Sequence, residues 1–151
     1  KKIIQDIYNC ANKEKCELVI PEDCKVGVDF LSKGENKNLE DIADKDIILD
    51  IGPRTIRKIC DKIDISNTVL WNGPAGYFEN ENFKEGTISI AKKISDNTKF
   101  KSLISILGGG DTLSAIKKSG EKLSFTHLST AGGAFIEYLE GKDLPGLQVL
   151  K

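Results

Sequence analysis

Three glycine-rich stretches hold most of the chemistry this sequence can offer. Gly108-Gly109-Gly110-Asp111-Thr112 ends the apolar run at 103–107 and opens a new pattern at Leu113, Ile116 and Lys117-Lys118. Gly73-Pro74-Ala75-Gly76 follows Thr68-Val69-Leu70-Trp71-Asn72, and Ser129-Thr130-Ala131-Gly132-Gly133 follows the short run at 125–128. Glycine has no Cβ, so another group can lie against its backbone. Where such a turn ends a strand and starts a helix, free N–H groups and the helix dipole point at one place, which suits an anion. Gly109 and Gly110 are therefore candidate phosphate donors. Gly132 and Gly133 are candidates for charge developing on a transferred phosphoryl group. Asp111 has two readings. It is a helix N-cap, or it serves a divalent cation, because a bare carboxylate beside phosphates is repelled and Mg²⁺ takes one or two carboxylates with phosphate oxygens and water. Thr112 can offer its hydroxyl or amide to a phosphate. Gly73, Pro74 and Ala75 are irregular backbone able to wall a flat ring. Glu79, in an acidic patch with Glu81 and Glu85, is either a solvated acid or a partner for ribose hydroxyls. His127, the single histidine, reads as a structural, hydrogen-bonded residue within a strand, and Trp71 reads as core.

The elements that must hold these turns are legible as periodicities. Ile3, Ile4, Ile7, Tyr8 and Ala11 recur at helical spacing. Residues 18–20 predict a short strand stopped by Pro21, and Val26, Val28 and Phe30 predict a strand with one wet face. Residues 32–45 read as a polar surface loop. Residues 47–51 form another strand closed by Gly52-Pro53, and Ile56, Ile59, Cys60 and Ile63 mark the helix after Thr55. A strand–turn–helix unit then appears three times. Strand 68–71 precedes a helix within 83–94. The buried strand at 103–107 precedes a helix ended by Ser119-Gly120. The strand at 125–128 precedes a helix through Phe135, Ile136 and Leu139, capped by Gly141. The alternation predicts an α/β fold: a three-layer, Rossmann-like parallel sheet with right-handed crossovers. In such sheets a ligand lies beyond the carboxyl ends of the strands, and all three glycine turns fall there.

Composition narrows the function classes. The net charge is −1, so non-specific nucleic-acid binding is not expected. No apolar run approaches the ~18 residues of a membrane span, and no signal-peptide pattern is visible. The four cysteines, Cys10, Cys16, Cys24 and Cys60, contain no Cys-x-x-Cys pair. They are expected to be reduced, partly buried thiols in a cytoplasmic setting rather than zinc ligands or disulfides. The chain has no methionine and opens on Lys1-Lys2 inside a helical pattern, so a piece of a longer chain, cut on its N-terminal side, is expected. There is no Gly-x-x-x-x-Gly-Lys-[Ser/Thr] loop, and Leu113 stands where a dinucleotide motif needs Gly or Ala, which disfavours a nicotinamide oxidoreductase. No Ser/His/Asp set is apparent, and phosphoryl transfer needs none. A non-catalytic, Rossmann-like nucleotide-binding module remains the alternative to an enzyme.

Three segments together resemble the phosphoglycerate kinase family: Val69-Leu70-Trp71-Asn72-Gly73-Pro74-Ala75-Gly76-Tyr77-Phe78-Glu79, Gly108-Gly109-Gly110-Asp111-Thr112, and His127-Leu128-Ser129-Thr130-Ala131-Gly132-Gly133-Ala134. Leu49-Asp50-Ile51-Gly52-Pro53 and the ending at 139–146 also fit, so the resemblance spans nearly the whole chain. It implies phosphoryl transfer between 1,3-bisphosphoglycerate and ADP with Mg²⁺, giving 3-phosphoglycerate and ATP in glycolysis, in a cytoplasmic enzyme that is monomeric at full length. It implies that Gly73, Pro74 and Ala75 line the nucleoside site with Phe78, and that Glu79 meets the ribose. Asp111 would serve the metal, Thr112 with Gly109 and Gly110 the phosphates, and Gly132 and Gly133 the phosphoryl group in flight. Two positions depart from the family pattern: Ala131 stands where many members have Gly, and Ile48 where some have Gly. The resemblance further implies that residues 1–151 are the C-terminal part of the nucleotide-binding domain. The N-terminal substrate domain and the first strands of this domain would lie outside them, leaving the sheet incomplete and the 151 residues inactive alone.

Overall fold

The structure, a computed structural model, describes residues 2–150. Its elements run α1 (Lys2–Lys13), β1 (Asp23–Gly27), β2 (Glu35–Asn38), β3 (Ile47–Ile51), α2 (Pro53–Asp64), β4 (Thr68–Asn72), α3 (Glu85–Phe100), β5 (Ile104–Gly108), α4 (Gly110–Lys118), β6 (His127–Ser129), α5 (Gly132–Leu139) and the single turn α6 (Pro145–Gln148). The strands form two sheets, β4-β5-β6 and β2-β1-β3. The first is parallel throughout, and it is the sheet the repeated strand–turn–helix unit predicts.

The core lies between this sheet and the helices α2 and α3. Ile63 of α2, Ile90 and Ile94 of α3, and Leu103 and Leu107 at β5 form its buried centre, with Val69, Trp71, Ile116 and Phe125 packed around it. Trp71 is thus a core residue. Strand β5 is the middle strand, and Ser105, Leu107 and Gly108 along it are buried. That position explains its apolar sequence. Asp64 at the end of α2 ties the two helices together. It accepts from Lys93 Nζ at 2.8 Å, Lys101 Nζ at 2.6 Å and Asn97 Nδ2 at 3.0 Å. The bonds from Lys101, Lys93 and Asn97 hold its carboxyl far below the usual range.

The second sheet corrects the sequence reading. Strands β1, β2 and β3 pair antiparallel, so residues 47–51 do not extend the parallel sheet. Residues 18–20 form no strand, because among the described residues nothing pairs with them. Strand β1 stops at Gly27 rather than reaching Phe30, since Asp29 turns the chain: its Oδ1 accepts Leu31 N–H at 2.8 Å and its carbonyl accepts the Ser32 hydroxyl at 2.6 Å. The expected loop at 32–45 contains β2 and a 3₁₀ turn, Leu39–Asp41. Phe83 lies in a 3₁₀ turn, not in α3, which runs on to Phe100.

The antiparallel sheet also caps α2. Pro53 occupies the first turn, where its missing N–H costs nothing. The Asp23 carboxylate arrives from β1 and accepts Arg54 N–H and Thr55 N–H, both at 2.9 Å, and the Thr55 hydroxyl at 2.7 Å. Burial pushes the Asp23 carboxyl up, but those bonds and the Arg54 charge outweigh it and hold the group below the usual range. Helix α1 forms as predicted, yet only Ala11 of its apolar face is buried; Ile3, Ile4, Ile7 and Tyr8 are exposed. Cys10 and Cys16 are exposed, against the expectation of partial burial, while Cys24 is buried and Cys60 half-buried. Burial pushes both of the latter thiols up. No helix among the described residues is long and apolar enough to cross a membrane.

Candidate functional site

The parallel register sets the ends of β4, β5 and β6 level. Asn72 lies opposite Gly108, and Gly108 opposite Ser129. The three glycine turns leave from that shared edge and touch one another. A methyl group placed on Gly132 would sit 2.6 Å from Gly109 Cα and 3.1 Å from Gly109 N. Gly109 itself has φ +94, a conformation that side-chain-bearing residues avoid. Its carbonyl accepts Leu113 N–H at 3.2 Å, beginning α4. The first turn is tied to the second by a hydrogen bond: Gly73 N–H donates to Thr112 Oγ1 at 2.8 Å. Thr112 is fully buried, so its hydroxyl holds the neighbouring turn, and its role in the site is partly architectural.

Asn72 stands at the meeting point and was not singled out by sequence reasoning. Its Oδ1 lies 3.1, 3.0 and 3.3 Å from where methyl groups on Gly108, Gly109 and Gly132 would be. The available signal was positional, because Asn72 is the polar residue that ends β4 level with Gly108.

Beyond this contact the site is open. Nothing lies within 4 Å of a methyl group placed on Gly110 or Gly133, so both backbones are accessible to a ligand. The N-cap of α4 is Gly109. Asp111 therefore does not cap the helix, which removes the first of its two readings; it stands exposed in the first turn. Among the described residues no group of three or more His, Cys, Asp or Glu could cage a metal. A lone exposed carboxylate at a phosphate-ready helix start still fits Mg²⁺, which draws its remaining ligands from phosphate and water. His127 lies in a strand, as the sequence predicts, exposed at the start of β6 and paired across the ladder with Ile106.

The first turn also walls a cleft of about 340 Å³. Pro74, Ala75, Gly76 and Tyr77 line it together with Ile48 and Leu49 of β3. The Phe30 ring closes on Tyr77 edge-on, with centroids 5.0 Å apart. Phe78 does not enter this cleft. It is buried under Lys118, whose Nζ lies 5.1 Å from its ring centre, and it borders a separate hollow of about 260 Å³ with Glu79 and Lys84. The structure thus brings Pro74 and Ala75 together in one cleft and sets Phe78 and Glu79 beside another.

Comparison with known proteins gives a consistent answer. Residues 1–142 match the family model described as phosphoglycerate kinase. A phosphoglycerate kinase of Wolbachia pipientis subsp. Culex pipiens (strain wPip) is 46% identical over 148 residues, covering 97% of this chain and 37% of that protein. One from Xanthobacter autotrophicus is 39% identical over 149 residues, covering 97% of this chain and 38% of the relative. Among solved structures, phosphoglycerate kinase from Coxiella burnetii superposes with a TM-score of 0.87 at 35% identity, over 99% of this chain and 38% of the other. The enzyme from Pyrococcus horikoshii OT3 gives 0.73 at 31% identity, over 99% and 37%. The chain spans less than two fifths of the length of these relatives.

Proposed function

The chain belongs to the phosphoglycerate kinase family, and we propose on that premise that it is the nucleotide-binding part of a phosphotransferase. The reaction is phosphoryl transfer between 1,3-bisphosphoglycerate and ADP, giving 3-phosphoglycerate and ATP in glycolysis. One observation carries the reading: three strand–helix turns meet at one sheet edge, with a methyl group on Gly132 only 2.6 Å from Gly109 Cα. Phosphoryl transfer asks a protein mainly for positioned hydrogen-bond donors, and converging glycine turns supply backbone N–H groups at close range.

In this reading the N–H groups at Gly109, Gly110 and Thr112 hold the nucleotide phosphates. The base lies along Gly73, Pro74 and Ala75, and Glu79 accepts from the ribose hydroxyls beyond Phe78. Gly132 and Gly133 donate to the oxygens of the phosphoryl group in transit. Asp111 would hold Mg²⁺, which neutralises phosphate charge when bound. Residues 1–151 form the C-terminal part of the nucleotide-binding domain. The phosphoglycerate site and the remaining strands are supplied by other parts of a longer, monomeric, cytoplasmic enzyme, so these residues alone do not turn over.

Calorimetry of ADP with Mg²⁺ on the full-length protein, beside a coupled kinase assay, tests the proposal. Saturable binding with turnover is expected. Binding without turnover would leave a nucleotide-binding module, and no binding would end the reading.

A further inference from the structure

We propose that Asp50 is a positioning residue for the nucleotide: its buried carboxylate fixes the first turn of α3, and Thr87 in that turn fixes the cleft wall at 74–77. The inference rests on the reading above that this cleft receives the nucleoside.

Asp50 lies in β3 and is 2% exposed. Its Oδ2 accepts Gly86 N–H at 2.9 Å and its Oδ1 accepts Ile51 N–H at 2.8 Å. The carboxylate is wedged between two glycines. A methyl group on either Gly76 or Gly86 would come within 2.4 Å of Oδ1. One residue beyond Gly86, Thr87 is fully buried. Its hydroxyl accepts two successive wall amides, Ala75 N–H at 3.0 Å and Gly76 N–H at 3.3 Å. The next amide, Tyr77 N–H, donates to the carbonyl of Leu49 at 2.7 Å, beside Asp50 itself.

Three consecutive N–H groups of the wall are therefore pinned by β3 and by the start of α3, and Asp50 joins those two supports. Lys25 of β1 and Glu85 of α3 face the carboxylate with opposing charges, and they pair with each other at 3.9 Å. The pin depends on a group that accepts from two N–H donors at once. Asn at this position accepts with one atom only and turns its NH₂ toward the other donor, so Gly86 or Ile51 must move. Movement of Gly86 carries Thr87, and with it Ala75 and Gly76. Misplacing a binding wall costs affinity and rate even where no contact to the ligand is deleted.

The experiment measures ADP affinity by calorimetry, together with KM for each substrate and kcat, in the full-length protein and in Asp50→Asn, Thr87→Val and the double variant. Each single variant is expected to weaken ADP about tenfold, the equivalent of one charge-assisted hydrogen bond. KM for the phosphoglycerate substrate should stay within about twofold. The double variant should lose little more than either single one, because both act on one support, and Thr87→Ser should restore affinity. Unchanged ADP affinity in both folded single variants overturns the inference, as does an equal loss for both substrates. If Asp50→Asn fails to fold cooperatively, Thr87→Val with its serine rescue decides. A wild-type protein that binds ADP but does not turn over would sink the kinase reading alone, since the binding arm still judges Asp50. A wild-type protein that does not bind ADP sinks both.

Discussion

Replacing Gly132 by alanine is the sharpest single test of the site. The added methyl would lie 2.6 Å from Gly109 Cα and 3.3 Å from Asn72 Oδ1. Carbon atoms rest at about 3.5–4.0 Å, so the turn after β6 and the turn after β5 must separate by about 1 Å. The neighbour is backbone at φ +94, which has no rotamer to offer. Overpacking of this kind costs about 1–3 kcal/mol. Alanine returns up to about 1 kcal/mol through better helix propensity at the start of α5. The net is a loss of about 0–3 kcal/mol, at roughly 2–4 °C in Tm per kcal/mol for a domain of this size. The functional cost is larger, because a 1 Å error in donor placement lowers turnover by about 10²-fold. The assay is kcat/KM and Tm of the full-length protein, with Gly133→Ala compared in Tm alone as the folding control, since no protein atom lies within 4 Å of a methyl group there. A Gly132→Ala protein with wild-type kcat/KM would refute the claim that the two turns are in contact and that their spacing matters.

Three more outcomes follow from the geometry. Thr112→Val removes the buried acceptor of Gly73 N–H and should destabilise the protein by about 1–3 kcal/mol, read by urea unfolding. Asp111→Ala should leave Tm within about 1 °C, as an exposed first-turn residue, while raising the Mg²⁺ concentration needed for half-maximal ADP binding. Asp50 gives a pH signature. Burial is the main cause that pushes its carboxyl up to about 6 against an ordinary 3.8, so the fold favours the neutral form. Its contribution is full below the ordinary value and is lost as pH rises through about 6, a swing of roughly 3 kcal/mol. Relative to Asp50→Asn, the wild type should gain stability between pH 7 and pH 4, and a pH-independent difference in urea unfolding would reject the assignment.

Legibility in the sequence followed locality. The β4–α5 half was readable because each strand, turn and helix there is contiguous, and because β5 carries an apolar run. That run is buried on its Ser105 and Leu107 face, while Ile104 on the other face is exposed, so the expected burial on both faces does not hold. The β1–β3 half was not. Strand β2, Glu-Asn-Lys-Asn, is polar at every position and mostly exposed, so it carries no alternation to detect. Residues 18–20 have the composition of a strand, but a ladder needs a neighbour, and composition does not supply one. The failure at Val28 and Phe30 came from Asp29, whose side chain bonds its own turn and ends β1 early. The glycine turns that meet at the sheet edge were legible because glycine announces itself. Asn72, Thr87 and Asp50 were missed as working residues because their partners lie on other elements.

Those three missed residues suggest why a second sheet accompanies the first. A parallel sheet alone levels the strand ends, but it does not fix a turn that leaves the edge and folds back over a helix. The segment 73–77 does leave it, and its amides at Ala75, Gly76 and Tyr77 are caught by α3 and β3 rather than by the parallel sheet. Strand β3 is in turn held by β1, and β1 sends Asp23 to the start of α2. The antiparallel sheet therefore works as a bracket that joins the N-termini of α2 and α3 to the cleft wall, using one buried carboxylate for each. For Asp23 the surrounding donors outweigh burial, and for Asp50 they do not. The more costly carboxylate is the one beneath the proposed ligand wall. Stability surrendered next to a site, for the sake of a fixed shape there, is the usual direction of the trade between stability and function.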